Sequence, residues 1–413
     1  MQLITNTKDA VTTSTRMKWY FLSTFGFAQI CSWGTLYYAF PQITVAMTLE
    51  FGWAKTEIYG ALTVGLLLSA FAAIPVGILI DRGHGRDVMT GGSILAGIFF
   101  FLWSQTQSLT WFYIVFSGIG FLQAAVLYNA AFAVVAKHFD KTKTRDYITS
   151  LTLWGGFAST IFIPLIELML DYMEWRQVLI ALGAINILIC ASLYQLIPRH
   201  KNVLENRTPL KAIQHGKEGV SWALLQPIFW ALLICFSLYT AITSSFRFHL
   251  YPMLIENGLT VENTVLILAL LGPAQVAGRA FMKLFQTKSI AYVGIFIATL
   301  FPLTFIAMIL FPANFPVLII AGVAFGAVAG TMTIMMGLAV PEFMTKNSYG
   351  LINGLINTPT TMLKAFAPYI AAISWSITGS YSGLIYGLVA ISTIMLLSFI
   401  AAAIISRNKI ITK

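Results

Sequence analysis

The chain has 413 residues, of which 58% are hydrophobic and only 10% are charged, and its mean hydropathy is +0.80. Soluble domains are about 25% charged, so this composition excludes a soluble globular protein and indicates one that crosses a membrane several times. A net charge of +10 could indicate a protein that binds nucleic acid, but the positions of the charges argue against such a partner.

Apolar runs long enough to cross a bilayer recur along the whole chain. A helix needs about 20 apolar residues to span a hydrocarbon core of roughly 30 Å, and it satisfies its own backbone hydrogen bonds there. The sequence therefore predicts an all-α membrane protein with twelve transmembrane helices, at residues 19–46, 57–80, 89–105, 111–136, 147–170, 176–197, 222–252, 262–284, 289–311, 316–341, 349–373 and 381–405.

The basic residues outside these spans fall almost entirely on one side of the predicted membrane. Only Lys55 and Arg176 lie on the opposite side. An excess of Lys and Arg marks cytoplasmic segments, so we expect both termini in the cytoplasm and an inner-membrane location in a bacterium. The positive charge then reflects topology and contact with anionic lipid headgroups.

The first and fourth predicted spans carry no charge but are rich in hydrogen-bonding and aromatic side chains. We predict that four of these side chains contact a substrate: Tyr37, Gln123, Tyr128 and Asn129. The alternative is that they pack helices together or lie in the aromatic belt of the membrane interface.

A glycine, an aspartate and two arginines end the second span in the segment GILIDRGHGR, residues 77–86. Asp81 follows a helix end and is placed to accept from the N-terminus of a neighbouring helix. The segment resembles the signature G-x-x-x-D-R-x-G-R-R of the major facilitator superfamily, with one extra residue before Arg86. The resemblance implies two pseudo-symmetric six-helix bundles and a conformational latch at Gly77, Asp81, Arg82 and Arg86; alternatively, these residues only fix the topology.

The longest cytoplasmic connection divides the twelve spans six and six. This predicts a cytoplasmic tail (1–18), an N-terminal bundle (19–198), a central loop (199–221), a C-terminal bundle (222–405) and a second cytoplasmic tail (406–413). The halves align weakly, and transporters built from such repeats bind substrate between them near the midplane.

Four ionisable residues lie well inside predicted spans: Glu167, Arg247, Arg279 and Lys364. Charges within a membrane are costly and usually face a bundle interior or an aqueous cavity. Glu167 is predicted either to pair with a cation or to carry a coupling proton. Arg247 and His249 are two residues apart and point to different faces, with a role either at a gate or as interfacial anchors; His249 is a second candidate for proton coupling.

Arg279 and Lys364 are the predicted substrate ligands. An arginine at this place in the eighth span resembles the oxalate/formate exchangers and the eukaryotic monocarboxylate carriers, where it contacts the substrate carboxylate through its bidentate fork. Lys364 lies about 22 Å along its helix from Tyr349, at 1.5 Å per residue, and the exchangers also use a lysine in that helix. For both cations the alternatives are a structural ion pair or snorkelling to the membrane surface.

Several smaller signals are assigned to structure rather than chemistry. Cysteines 31, 190 and 235 lie inside spans without paired spacing and are predicted to be buried thiols. Glycine pairs four residues apart are predicted helix-packing faces: Gly326/Gly330, Gly350/Gly354 and Gly383/Gly387. No nucleotide-binding motif or metal-ligand spacing is present, so we expect no cofactor, no metal and no enzymatic activity.

Three intramembrane cations against one acid make a net-positive interior, which concentrates anions. We therefore expect a secondary active transporter of a small organic anion, a carboxylate, with Arg279 as principal ligand and either Lys364 or Arg247 as second cation. The expected partners are the substrate and membrane lipids, with no nucleic acid, and the expected state is a monomer. Three alternatives stay open: efflux of amphipathic compounds, uptake of a larger polycarboxylate such as a siderophore, and a non-transporting sensor.

Overall fold

The computed structural model describes residues 21–139, 141–198, 221–282, 290–344 and 349–411. These ranges are helical between short connections, and no strand occurs in them. The predicted N-terminal tail and all but the last residue of the predicted central loop lie outside the described residues. The final helix continues to Ile411 and so enters the predicted C-terminal tail.

Ten helices cover the first half of the described chain. They are α1 (residues 21–33), α2 (Phe40–Phe51), α3 (Lys55–Leu79), α4 (Gly85–Ser104), α5 (Leu109–Val126), α6 (Tyr128–His138), α7 (Lys141–Gly156), α8 (Ala158–Tyr172), α9 (Trp175–Ala184) and α10 (Ala191–Gln195). Three π-helical segments join some of these helices: Gly34–Tyr38, Ile80–His84 and Ile185–Cys190.

Six longer helices cover the second half. They are α11 (Pro227–Glu256), α12 (Val261–Met282), α13 (Ile290–Leu310), α14 (Phe315–Phe343), α15 (Tyr349–Thr378) and α16 (Ser382–Ile411). α11 begins with Pro227 at its first position, where the missing N–H costs no intrahelical bond. Asn314 accepts a hydrogen bond from the Val317 amide and so caps α14.

Within the described residues, each predicted span consists mainly of helix. Among the described residues, nine helical stretches are long and apolar enough to cross a membrane. One of them, Lys55–Ser104, is 50 residues long and covers two predicted spans. The all-helical membrane fold is therefore confirmed, whereas the count of twelve stays a prediction.

Two predicted spans are interrupted where the sequence analysis treated them as continuous. The fourth breaks at Leu127, whose φ of −82° and ψ of −167° are extended, between α5 and α6. The fifth breaks at Phe157, between α7 and α8. Such breaks leave backbone groups without intrahelical partners, which membrane proteins tolerate only where the backbone is buried in protein or lines a cavity.

Contacts divide the chain into two compact units. Unit 1 contains the described parts of Met1–Phe40 and Leu68–Val203; unit 2 contains Pro41–Leu67 and the described part of Leu204–Lys413. Unit 2 therefore includes α2 and the first half of α3 in addition to α11 to α16.

Small residues allow α12 and α14 of unit 2 to approach backbone to backbone. A methyl group at Gly278 would lie 2.2 Å from the Ala327 carbonyl oxygen, and one at Gly330 would lie 2.4 Å from a carbonyl oxygen of α12. The packing role predicted for the pair that includes Gly330 is confirmed. At Gly383 a methyl group would lie 2.8 Å from the Ser374 hydroxyl oxygen of α15, so close packing is confirmed there. At Gly354 and Gly387 a methyl group would meet nothing within 4 Å, so the packing predicted for those two glycines is wrong.

The three cysteines are buried and free, as predicted. Cys31 and Cys190 belong to unit 1, and Cys235 lies on α11 in unit 2. The Cys190 thiol donates a weak hydrogen bond to the Ala28 carbonyl at 4.0 Å, as a buried thiol can.

Candidate functional site

Aromatic side chains of unit 1 gather around the π-helical segment Gly34–Tyr38. The Trp33 ring lies 5.3 Å from Tyr37 and 4.6 Å from Tyr128, measured between ring centroids. Tyr128 in turn stacks on Phe132 at 5.0 Å. Tyr37 is buried, Tyr128 is half-buried and Asn129 is exposed. This arrangement brings the predicted contacts Tyr37 and Tyr128 into one group, and their role toward a substrate stays a prediction.

Gln123 holds two elements of unit 1 together. Its side-chain amide donates to the Leu36 carbonyl, at 2.8 Å, inside the π-helical segment. The Gln29 amide likewise donates to the Val126 carbonyl at 2.8 Å, beside the break at Leu127. Since π-helical and broken backbone leaves carbonyls without their usual partners, both glutamines have a structural task in addition to any substrate contact.

Glu167 is half-buried on α8 of unit 1, one turn before the exposed Asp171. The cations Arg247, Arg279 and Lys364 all belong to unit 2. The one predicted intramembrane acid therefore belongs to unit 1, and the three predicted intramembrane cations belong to unit 2.

Two of the four predicted latch residues, Asp81 and Arg86, make specific contacts within unit 1. The Asp81 carboxylate pairs with Lys137, at 3.2 Å, at the end of α6. The partner of Asp81 is therefore a lysine side chain. This corrects the prediction that the Asp81 carboxylate accepts hydrogen bonds from the N-terminus of a neighbouring helix. Arg86 donates from Nε to the Gln195 side-chain oxygen at 3.4 Å, and so connects α4 to α10.

Within the segment 77–86, the structure explains why one position is glycine but gives no such reason at a second position. Gly83 has φ of +91°, a conformation that costs a side-chain-bearing residue roughly 1–2 kcal/mol. A methyl group at Gly77 would meet nothing within 4 Å, so packing in this structure does not require glycine there. Arg82 is exposed.

In unit 2 the predicted cations converge from three helices. Arg247 on α11 donates to the Gln275 side-chain oxygen on α12 at 3.1 Å, and Gln275 lies four residues, about one helical turn, before Arg279. Ser244, which bonds the Lys364 carbonyl of α15, lies three residues before Arg247 on α11. The three predicted cations are therefore carried by neighbouring turns of three helices, and we call them the cation group of unit 2.

Two hydrogen bonds fix the backbone that carries Lys364. The Ser244 hydroxyl donates to the Lys364 carbonyl at 2.8 Å, and the Thr240 hydroxyl donates to the Thr360 carbonyl at 3.0 Å. The Lys364 side chain is half-buried. In the part of the chain that the structure describes, its ammonium forms no salt bridge to a carboxylate.

His249 lies on the other face of α11 from Arg247, as predicted. Its ring is fully buried and stacks on Tyr59 at 3.9 Å. Nε2 lies 2.8 Å from the Pro368 carbonyl and Nδ1 lies 3.2 Å from the Tyr381 hydroxyl. Because a carbonyl can only accept, Nε2 carries a hydrogen and Nδ1 is free to accept from the tyrosine, which a neutral imidazole satisfies completely.

Four residues that the sequence analysis did not select as candidates form a cluster in unit 2 next to His249. They are Lys55, Glu256, Trp375 and Tyr381. The Lys55 ammonium pairs with Glu256 and lies 3.9 Å from the Trp375 ring centroid and 4.5 Å from that of Tyr381. It also donates to the Tyr381 hydroxyl at 3.3 Å, while the Trp375 indole donates to Glu256 at 2.8 Å. We call these four residues the Lys55 cluster. The only sequence signal was that Lys55 is one of two basic residues on the predicted outer side.

Further hydrogen bonds continue the Lys55 cluster along α3. The Tyr59 hydroxyl donates to the Phe248 carbonyl of α11 at 2.8 Å, and the Thr63 hydroxyl donates to the Ala365 carbonyl of α15 at 2.9 Å. The first half of α3 is thus bonded to α11 and α15, two of the three helices that carry the cations. Among the described residues, no group of His, Cys, Asp and Glu is placed to hold a metal ion.

Comparisons with known proteins identify relatives of one kind. The family profile "Major Facilitator Superfamily" matches residues 25–368. Monocarboxylate transporter 12 of Mus musculus is 24% identical over 78% of this chain and 72% of its own length. Monocarboxylate transporter 12 of Xenopus laevis is 25% identical over 51% of this chain, and the chain spans half of that relative's length.

Solved structures share the fold at low identity. The nucleoside transporter NupG has a TM-score of 0.72 and 14% identity, covering 92% of this chain and 98% of its own. A bacterial homolog of the human lysosomal transporter Spinster, inward-facing and unoccupied, has a TM-score of 0.69 and 14% identity, covering 94% of this chain and 96% of its own.

Proposed function

The chain belongs to the major facilitator superfamily, and we propose that it transports a small organic anion, a carboxylate, by alternating access. It is a multi-pass membrane transporter and not an enzyme. The proposal concerns the substrate and the residues that hold it.

The observation that carries the proposal is the cation group of unit 2. The Lys364 backbone bonds to Ser244, one helical turn before Arg247, so two like charges lie on adjoining turns, and like charges near a low-dielectric interior repel each other at a free-energy cost. A bound anion removes that cost, so the site is preorganised for negative charge. Arg279 supplies a planar fork that matches the two oxygens of a carboxylate.

The names of the relatives support the same class of substrate. Several are monocarboxylate transporters, and the match to the mouse protein extends over most of this chain. Tyr37, Tyr128, Asn129 and Gln123 of unit 1 stay predicted substrate contacts.

The Lys55 cluster serves in this proposal as the gate at the predicted outer end. Alternating access requires that one end of a transporter close while the other opens. The cluster joins the start of α3 to the end of α11 through an ion pair, and to the end of α15 and to Tyr381, just before α16, through two ring contacts. Opening this end breaks those contacts and the Tyr59 and Thr63 hydrogen bonds.

Of the two predicted proton carriers, Glu167 fits the role better than His249. Both nitrogens of His249 are already engaged in a fully buried site, and a proton added there would create a buried charge. If Glu167 carries a coupling proton, Glu167→Gln abolishes the response of transport to an imposed pH gradient. Transport by wild type at a rate independent of that gradient would remove proton coupling from the account.

The aromatic group of unit 1 favours a second candidate function. Trp33, Tyr128 and Phe132 form a continuous series of ring contacts, and such surfaces accommodate flat amphipathic compounds and cations. Efflux of such compounds is the alternative that the experiment below separates from anion transport.

The proposal is tested by thermal shift of the purified protein. A ligand that binds only the folded state raises the melting temperature by mass action. The panel contains mono-, di- and tricarboxylates, sugars and cationic dyes, applied to wild type, Arg279→Gln and Lys364→Gln. Arg176→Gln is the matched control, because it removes a cation of unit 1 that stacks on Trp175.

We expect one class of carboxylate to stabilise wild type and the control but neither cation variant. Stabilisation by tricarboxylates alone assigns the larger polycarboxylates as substrates. If dyes alone stabilise the protein, and the cation variants respond as wild type does, the anion site is wrong and efflux replaces it. Transport in bacterial inner-membrane vesicles, with protease protection of both termini, tests the location and orientation.

A further inference from the structure

An apolar groove lies between α12, α13 and α14 of unit 2, outside the site described above. Its volume is about 730 Å³. The side chains that form its walls include Ala277, Phe281, Phe296, Leu300 and Val328. The groove is large enough for a chain-like ligand but offers almost no polar group to one.

Two polar side chains border the groove, and one of them is satisfied within its own helix. The Thr331 hydroxyl donates to the Ala327 carbonyl, so it presents no unmet hydrogen bond to an occupant. The other is Tyr292, at the start of α13. Polarity is thus confined to the end of the groove where α12 ends and α13 begins.

The groove opens away from the helices. Phe281 is 51% exposed, Tyr292 is 63% exposed and Phe296 is 60% exposed. These residues lie on or beside helices that are long and apolar enough to cross a membrane. At this depth in the membrane, the groove opens to lipid rather than to water. A hydrocarbon chain can fill the groove without leaving a polar group of the protein unsatisfied.

A cation among the described residues lies at the polar end of the groove. The Arg407 guanidinium lies 4.4 Å from the centroid of the Tyr292 ring, and Arg407 is exposed. Stacking uses the face of the guanidinium and leaves its N–H groups, which lie in the plane, available to bind phosphate oxygens. The sequence places this end at the cytoplasmic surface, where anionic lipids supply negative charge.

We propose that this groove binds an anionic phospholipid, with an acyl chain along α12, α13 and α14 and the phosphate on Arg407. Hydrocarbon gains little by leaving bulk lipid for a protein groove, since lipid tails are as apolar as the groove walls. Selectivity therefore comes from the headgroup. The acyl chain contributes close packing against Ala277 and the exposed phenylalanines, which stabilises the contact between α12 and α14.

The experiment measures the melting temperature of the full-length protein in detergent during titration with phosphatidylglycerol. Phosphatidylcholine with the same chains tests the headgroup, and glycerol phosphate tests the charge without a chain. The variants are Arg407→Gln, Ala277→Phe to fill the groove, and Ala277→Leu as a milder replacement. Arg176→Gln is the matched control, because its guanidinium stacks on the Trp175 ring at a similar 4.3 Å.

We expect phosphatidylglycerol to raise the melting temperature of wild type and the control more than phosphatidylcholine does, and glycerol phosphate to have no effect. Arg407→Gln should need at least about fivefold more phosphatidylglycerol for the same rise, from the loss of one basic contact. Both Ala277 variants should respond less than wild type. Equal responses to the two lipids, a response to glycerol phosphate alone, or full responses in Arg407→Gln or in both Ala277 variants would overturn the proposal.

Discussion

At the scale of single residues, the Lys55 ammonium is the point where three attractive contacts meet. Its side chain is only 14% exposed, whereas that of Glu256 is 36% exposed, so the ion pair is shielded from water on the lysine side. Surface pairs contribute about 0–1 kcal/mol, whereas breaking one partner of a shielded pair costs more because the remaining charge loses both water and partner. The two aromatic faces add cation–π attraction.

Lys55 and Glu256 should therefore show energetic coupling that exceeds that of a surface pair. We expect Glu256→Gln and Lys55→Met each to lower the melting temperature, with a coupling energy of roughly 0.5–3 kcal/mol in a double-mutant cycle. Both variants should also increase the rate at which a cysteine placed at Thr63 reacts with a water-soluble thiol reagent. An additive cycle and an unchanged reaction rate would show that the Lys55 cluster does not hold this end closed.

At the scale of the helices, the close approach of α12 and α14 depends on glycine. Gly278→Ala should destabilise the protein, because its new methyl would lie 2.2 Å from the Ala327 carbonyl oxygen and the helices must separate. Gly337→Ala on α14 is the matched control, since a methyl there meets nothing within 4 Å and alanine favours helix by about 1 kcal/mol. Thermal unfolding should separate the two variants; equal melting temperatures would contradict the packing argument.

Hydropathy predicted where the helices lie, since each must bury about 20 apolar residues in lipid. It did not predict the break at Leu127 or the π-helical segment Gly34–Tyr38, because those depend on partners such as Gln123 that approach from other helices. Arg279 and Lys364 could be selected as candidates from the sequence because a charge inside a membrane is costly. The Lys55 cluster could not be predicted, because Glu256 and Tyr381, the partners of Lys55, are 201 and 326 positions away in sequence.

At the scale of the whole molecule, the charges divide between the two units. Unit 2 carries the three predicted cations and unit 1 carries the predicted acid Glu167. A transporter exposes its binding site first to one side of the membrane and then to the other. The site must balance the charge of the bound substrate in both conformations. In the proposed mechanism, the three cations of unit 2 favour an anion over a cation before any specific contact with the substrate is made.

The most direct test of this account is counterflow of the carboxylate selected by thermal shift, measured in proteoliposomes with wild type, Lys364→Gln, Lys364→Arg and the control Arg176→Gln. Loss of one charge-assisted contact, about 1.5–3 kcal/mol, predicts a fall of about tenfold or more in transport for Lys364→Gln. Lys364→Arg keeps the charge and should retain a measurable part of the activity, while the control should match wild type. Transport by Lys364→Gln at the wild-type rate would contradict the claim that the cations of unit 2 bind the transported anion.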